Sequence, residues 1–147
     1  MSPIRSFAYP ALRAAALPLA LTALCMTSAP VAARAQGSSE PWIAPTRASQ
    51  RANPVVSAPD VVKNGHKIFV RDCEQCHGKL AHGDGSMAPA LSIRPKDLTS
   101  DAVTSQTDGA IFWKISEGRG LMPKANLTDT EKWTVIQYLR TLPPHNP

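Results

Sequence analysis

An all-α domain of about three main helices joined by long loops is predicted for most of this chain. Three observations predict it. Apolar residues recur at helical spacing over residues 60–71, 108–117 and 128–141. Residues that start or stop helices flank those segments. Between the first two lies a stretch of roughly thirty residues, 78–107, with no such spacing. Loops of that length are uncommon in a compact domain unless something fills them.

The first helix follows Pro59, with Asp60 as its cap and Val61, Gly65, Ile68 and Phe69 as its apolar stripe. The second carries Ile111, Phe112 and Ile115 on one side with Trp113 offset, and Gly118 is its stop. The third opens on Thr128-Asp129-Thr130-Glu131, the T-x-x-E pattern of a capping box. It carries Trp133, Val135, Ile136, Tyr138 and Leu139 and ends ahead of Pro143-Pro144.

The N-terminus has the pattern of a secretory signal, with Arg5 and Arg13 ahead of an apolar run over residues 14–26. That run is short for a bilayer span. Ala33-Arg34-Ala35 is the expected cleavage site before Gln36, with Val31-Ala32-Ala33 as a rival. Bulky Leu24 before Cys25 argues against a lipid anchor. The expected organisation is a signal over residues 1–35, a Pro-rich extended leader over 36–57 and one domain over 58–147, exported to an oxidising compartment.

The full chain has 16 Lys+Arg against 11 Asp+Glu, a net +5. Residues 1–35 hold three arginines and no acid, so their removal leaves 13 against 11, a net +2. That balance gives no argument for nucleic-acid binding. The leader has prolines at 41, 45, 54 and 59 and no apolar periodicity. It is either a disordered linker or an arm strapped across the domain or a partner.

Chemistry is concentrated in Cys73-Glu74-Gln75-Cys76-His77, a C-x-x-C-H motif. Two thiols three positions apart meet the two vinyl groups on one edge of a porphyrin and become thioethers. The histidine that follows then lies under the iron as its imidazole ligand. A structural zinc site wants four ligands, and the other candidates, Cys25, His66, His82 and His145, are scattered. A thioredoxin-type pair wants a preceding strand, and nothing strand-like precedes Cys73. One covalent haem c is the expected cofactor, and it would fill the long loop and enlarge a small core.

Over about residues 58–142 the chain resembles class I c-type cytochromes, specifically bacterial periplasmic single-haem members. The likeness rests on the motif, on Gly65 and Phe69 ahead of it, on Val135, Tyr138 and Leu139 in the last helix, and on Pro89-Ala90-Leu91. Gly83-Asp84-Gly85, Pro95-x-Asp97-Leu98-Thr99 and Glu131-x-Trp133 extend it. The resemblance implies a small cytochrome c fold wrapped around the haem. It also implies that the Pro89 carbonyl accepts the Nδ1–H of His77 and that Met122, in Gly120-Leu121-Met122-Pro123, is the second axial ligand. Met87 is the runner-up and His82 a weaker one. Trp113, Arg94 and Lys96 are candidate haem contacts through the propionates, and Arg119 sits beside the methionine loop.

His77/Met122 ligation would leave iron without an open site and make the chain an electron carrier or electron-transfer subunit rather than an enzyme. Its expected partners are periplasmic redox proteins, a dehydrogenase as donor or an oxidase or reductase as acceptor. Two alternatives stand beside this: an open-site haem protein acting as gas sensor or enzyme subunit, and a structural subunit tethered by the leader.

Overall fold

The computed structural model describes residues 41–145. The expected signal segment, its cleavage site and the first residues of the leader lie outside them. The helices are α1 (Thr46–Ser49), α2 (Pro59–Asp72), α3 (Glu74–His77), α4 (Asp101–Thr104), α5 (Asp108–Glu117) and α6 (Asp129–Leu139), with a 3-10 turn at Ala88–Ala90. Among the described residues there is no strand; the nearest approach is a single antiparallel bridge between Arg119 and Met122. The all-α expectation holds, and the three long helices are α2, α5 and α6. No helix among these residues is long and apolar enough to cross a membrane.

Two of the three start signals work as read, and α2 begins differently: its N-cap is Ala58 with no side-chain cap bond, Pro59 opens the first turn, and Asp60, expected as the cap, lies inside that turn. At α6 the Thr128 hydroxyl accepts the Glu131 N–H at 3.2 Å, and the Glu131 carboxylate accepts the Thr128 N–H at 2.9 Å. This reciprocal pair satisfies two amide donors that a helix end would otherwise leave open. At α5 the Thr107 hydroxyl accepts the Ala110 N–H at 3.2 Å, and Gly118 ends the helix at φ +62°. The last helix stops two residues earlier than its pattern suggests. Arg140 and Thr141 close the end instead, their N–H groups donating to the Ile136 and Tyr138 carbonyls.

The core forms where α6 lies across α2 and α5. Ile68, Phe69, Ala81 and Val135 make one cluster, with Tyr138 and Leu98 against it. Ile111, Phe112, Trp133 and Ile136 make the second, and Ile115 and Leu139 touch both. Phe112 and Trp133 stack with centroids 4.1 Å apart, and Phe69 meets Tyr138 at 5.4 Å. Such ring pairs add about 0.5–1.5 kcal/mol beyond the area they bury.

Gly65 decides how closely α2 and α6 approach. A Cβ at that position would lie 2.8 Å from the Tyr138 Cβ and closer still to the Thr134 carbonyl oxygen. The obstacle is backbone, so a side chain there must push the helices apart.

Of the two readings left open for the leader, the structure has the arm. The leader's described part is strapped over α5 and α6, and it contains a helical turn rather than being extended throughout. The Thr107 hydroxyl donates to the Ser49 carbonyl at 2.7 Å, and Gln137 donates to the Val55 carbonyl at 2.6 Å. The Asn53 amide donates to both Asp108 and the Trp133 carbonyl, at 3.0 and 3.3 Å. Arg51 lies 4.4 Å over the Phe112 ring and 5.4 Å over Trp133, and Trp42 packs against Trp113 at 6.3 Å. Cation–π contacts of this kind need only aromatic faces left open beside the core.

Two stability changes are expected from this packing. Gly65→Ala should lower the unfolding free energy by about 1–3 kcal/mol in urea titrations, overpacking outweighing the helix propensity alanine gains. Asn53→Ala should cost about 1 kcal/mol and open residues 41–57 to limited proteolysis while α2 and α6 stay protected.

Candidate haem centre

The C-x-x-C-H motif sits on a break between two helices. Cys73 ends α2, its N–H donating to the Phe69 carbonyl at 2.8 Å, and its φ of −122° and ψ of −35° depart from helical values. Its own carbonyl then accepts from Cys76 at 3.2 Å and His77 at 2.9 Å. A new turn, α3, begins at once, so both thiols and the imidazole lie on a single short stretch of chain.

The loop after His77 folds back and seals that element. The carbonyls of His77, Cys76 and Gln75 accept the N–H groups of Gly83 at 2.8 Å, Gly85 at 3.2 Å and Met87 at 2.9 Å. These are carbonyls a helix C-terminus leaves without partners. Gly85 is required for the fit, because a Cβ there would lie 2.6 Å from the Cys76 carbonyl carbon and nearer the Gln75 oxygen. Fully buried Ala81 adopts φ +63°, and its carbonyl accepts the Leu98 N–H at 2.7 Å. That bond returns residues 95–99 to the motif.

His77 Nδ1 lies 2.9 Å from the Lys96 carbonyl oxygen, and in the tautomer that donates to it Nε2 is left free. This corrects the role expected of Pro89. Pro89 stands in the 3-10 turn, lining a surface cavity with Gly83, Asp84, Ala88 and Arg94. The three amide bonds that hold residues 83–87 to α3 fix the start of that turn, and the acceptor comes from the returning segment instead. Burial lowers the His77 pKa, and the Lys96 carbonyl partly opposes that. The neutral imidazole, which is the ligating form, is favoured.

Cys73 and Cys76 are both free thiols and half-buried. Burial pushes the Cys73 thiol up to about 12, with the neighbouring Asp72 and Cys76 adding to it. A thioredoxin-type pair needs the opposite shift. Among the described residues no three His, Cys, Asp or Glu side chains gather as a metal cluster. The donors present fit a covalently held haem: two thiols three positions apart and one imidazole with Nδ1 committed to a carbonyl.

The remaining candidates are placed as follows. Met122 stands half-buried at the base of a turn closed by reciprocal backbone bonds with Arg119, at 2.8 and 3.0 Å. Leu121 at the tip of that turn is exposed. Arg94 donates from Nε to the Gly83 carbonyl at 3.3 Å, so its head group stays beside the loop that covers α3. Trp113 is half-buried against Trp42 of the leader. Met87 is exposed on the loop bonded to the Gln75 carbonyl. His82 stacks on the His145 ring at 3.9 Å and 15°.

Sequence reasoning gave no role to Asp97, although its Asp-x-Thr spacing is the signal of an Asx turn. The Asp97 carboxylate accepts the Thr99 N–H at 2.8 Å and the Thr99 hydroxyl at 2.6 Å, and it faces His145 Nδ1 at 2.9 Å. Burial alone would raise its pKa, but the Thr99 and His145 hydrogen bonds and the His145 charge outweigh that and hold it at about 2. An unfolded aspartate titrates near 3.9. The carboxylate therefore contributes stability that is present above about pH 4 and lost as pH falls toward 2. Urea midpoints measured between pH 5 and pH 2 should drop over that window, and Asp97→Asn should flatten the drop.

Comparison with known proteins bears on the family and the fold. A family model described as cytochrome c oxidase, cbb3-type, subunit III matches residues 60–139, more than half of the chain. A chain of the Kuenenia stuttgartiensis reducing HAO-like protein complex superposes with a TM-score of 0.53 at 24% identity, over 61% of this chain and 47% of that one. That likeness is one of fold, and the matched region spans less than half of the larger chain. None of the curated proteins matches. With C-x-x-C-H at the α2–α3 junction and a family match running from α2 through α6, this chain belongs to the class I c-type cytochromes, in the family described as subunit III of cbb3-type oxidases, and its chemistry is haem-based electron transfer.

Proposed function

We propose that this chain carries one electron at a time on a single haem c, with Cys73 and Cys76 as thioether donors and His77 and Met122 as axial ligands. The hydrogen bond from His77 Nδ1 to the Lys96 carbonyl carries the reading, because it commits one ring nitrogen and orients the other. When bound, the haem supplies a ferric/ferrous couple, and a thioether ligand favours the ferrous state relative to a second imidazole.

The protein's own residues do the rest. The amide bonds from Gly83, Gly85 and Met87 hold the His77 backbone still, so little reorganisation accompanies electron transfer. The tight turn at Arg119–Met122 presents a thioether from a rigid base. Arg94 and Trp113 remain candidate haem contacts on this reading, and Pro89 is not among them. The expected signal over residues 1–35 supports export to the periplasm, where both cysteines would be used for attachment. The partners are periplasmic redox proteins. The family's description as an oxidase subunit supports an oxidase-side acceptor, with the chain as either a mobile carrier or a docked subunit.

The test is the absorption spectrum of the purified, reduced protein before and after carbon monoxide. A c-type spectrum that carbon monoxide leaves unchanged is the expected result. Met122→Ala should then bind carbon monoxide with a clear Soret shift and show a lowered midpoint potential. A shift already present in the unsubstituted protein would move gas sensing or catalysis ahead of electron transfer.

A further inference from the structure

The C-terminal tail closes onto the segment that carries the Lys96 carbonyl. After α6, Leu142 packs into the Phe69 cluster, and Pro143-Pro144 stiffens the chain that follows it. His145, beyond the segment matched by the family model, then enters between two loops. Its Nδ1 meets the Asp97 carboxylate at 2.9 Å, its backbone N–H donates to the Thr99 carbonyl at 3.4 Å, and its ring stacks on His82 at 3.9 Å. Asp97 adjoins Lys96, and its other oxygen holds the Thr99 N–H and hydroxyl. Ser100 donates to the Asp97 carbonyl at 2.7 Å, and Leu98 donates to the Ala81 carbonyl at 2.7 Å. Thr99 is buried at 1% exposure, so this half-buried turn is anchored in the interior at that residue.

We propose that His145 is a positioning residue for His77: by clasping Asp97 against His82 it holds the Lys96 carbonyl on the His77 ring. The proposal rests on His77 being the haem ligand. The route is short and made of named bonds. The tail fixes Asp97, Asp97 fixes the 97–99 turn, and the turn fixes the carbonyl one residue upstream. A hydrogen bond to the far nitrogen of a ligating imidazole raises its basicity and stabilises ferric iron. Loosening the clasp weakens that bond and raises the midpoint potential. His82 belongs to the loop that also bonds the His77 carbonyl through Gly83, so one ring braces both approaches to the ligand.

The experiment compares the holoprotein with its His145→Ala and His145→Gln variants. Three quantities are read: amide hydrogen exchange at Leu98 and Thr99, the His77 ring proton resonances in the ferric state, and the midpoint potential. His145→Ala should speed Thr99 and Leu98 exchange about tenfold while amides in α2 and α6 keep their protection. It should also shift the His77 Nδ1 proton and raise the potential, and His145→Gln, which keeps a side-chain donor, should restore much of both. Faster exchange with an unmoved His77 proton and potential would make the clasp a tail anchor only and overturn the proposal. Unchanged exchange would overturn it at its first step. If the ferric His77 resonances carry no hyperfine shift in the unsubstituted protein, the ligand reading itself fails and the proposal falls with it. Hyperfine-shifted resonances that His145→Ala leaves in place defeat the proposal alone.

Discussion

The close crossing of α2 and α6 at Gly65 is the constraint from which the rest of this structure follows. Without a Cβ between them, the Thr134 carbonyl and Tyr138 reach the surface of α2, and Phe69 is buried completely beside the contact. The α2 helix is thereby fixed in direction, and α2 ends at Cys73. The position of the thiols and imidazole is therefore set by a helix–helix contact two turns upstream and by the last helix of the chain. A domain this small has few other ways to hold a site rigidly. It uses its tightest packing immediately before the chemistry begins.

The second constraint is backbone satisfaction. A four-residue helix such as α3 has no interior, so its carbonyls need partners from elsewhere. Gly83, Gly85 and Met87 supply them, and the returning segment at Leu98 ties the same loop to Ala81. A loop that looked long and empty in the sequence is thus tied to the motif at its start and folded back on itself at Leu98. The leader plays a related part on the far side, where Asn53, Arg51 and Val55 cover aromatic surface of α5 and α6 that would otherwise face solvent. The arm was one of two readings open in the sequence, and the lack of periodicity hid only which residues anchor it, because an arm held by single anchors has no period to detect.

What was legible in the sequence divides along the line between side chains and backbone. The three long helices, the capping box, Gly118 as a stop and the apolar stripes are properties of side-chain type and spacing, and the structure has them within two residues of where the pattern puts them. The haem motif was legible for the same reason. The acceptor for His77 was not, since any residue offers a carbonyl and the identity of the right one depends on how the loop returns. Pro89 was a reasonable choice by distance along the chain, yet the loop bonds itself to α3 up to Met87 and leaves Pro89 outside. Lys96 carries no mark in its own side chain. The mark lies one residue on, in the Asp97–Thr99 turn that shapes the backbone there.

The tail extends this reasoning to the limit of the described chain. His145 acts through geometry that no spacing rule contains, because its partners, Asp97 and His82, come from two loops that meet only after folding. A half-buried carboxylate without hydrogen bonds would be destabilising, and Asp97 instead has three donors converging on it. Removing one of three leaves the other two short of an anchor, which is why the effect of a tail residue can travel to a backbone carbonyl beside it. On the proposed reading, the His77 ring is held by whichever segment steadies its hydrogen-bond acceptor, the Lys96 carbonyl. Here the tail that follows α6 braces that carbonyl, because Pro143-Pro144 leads His145 onto Asp97, the residue next to Lys96.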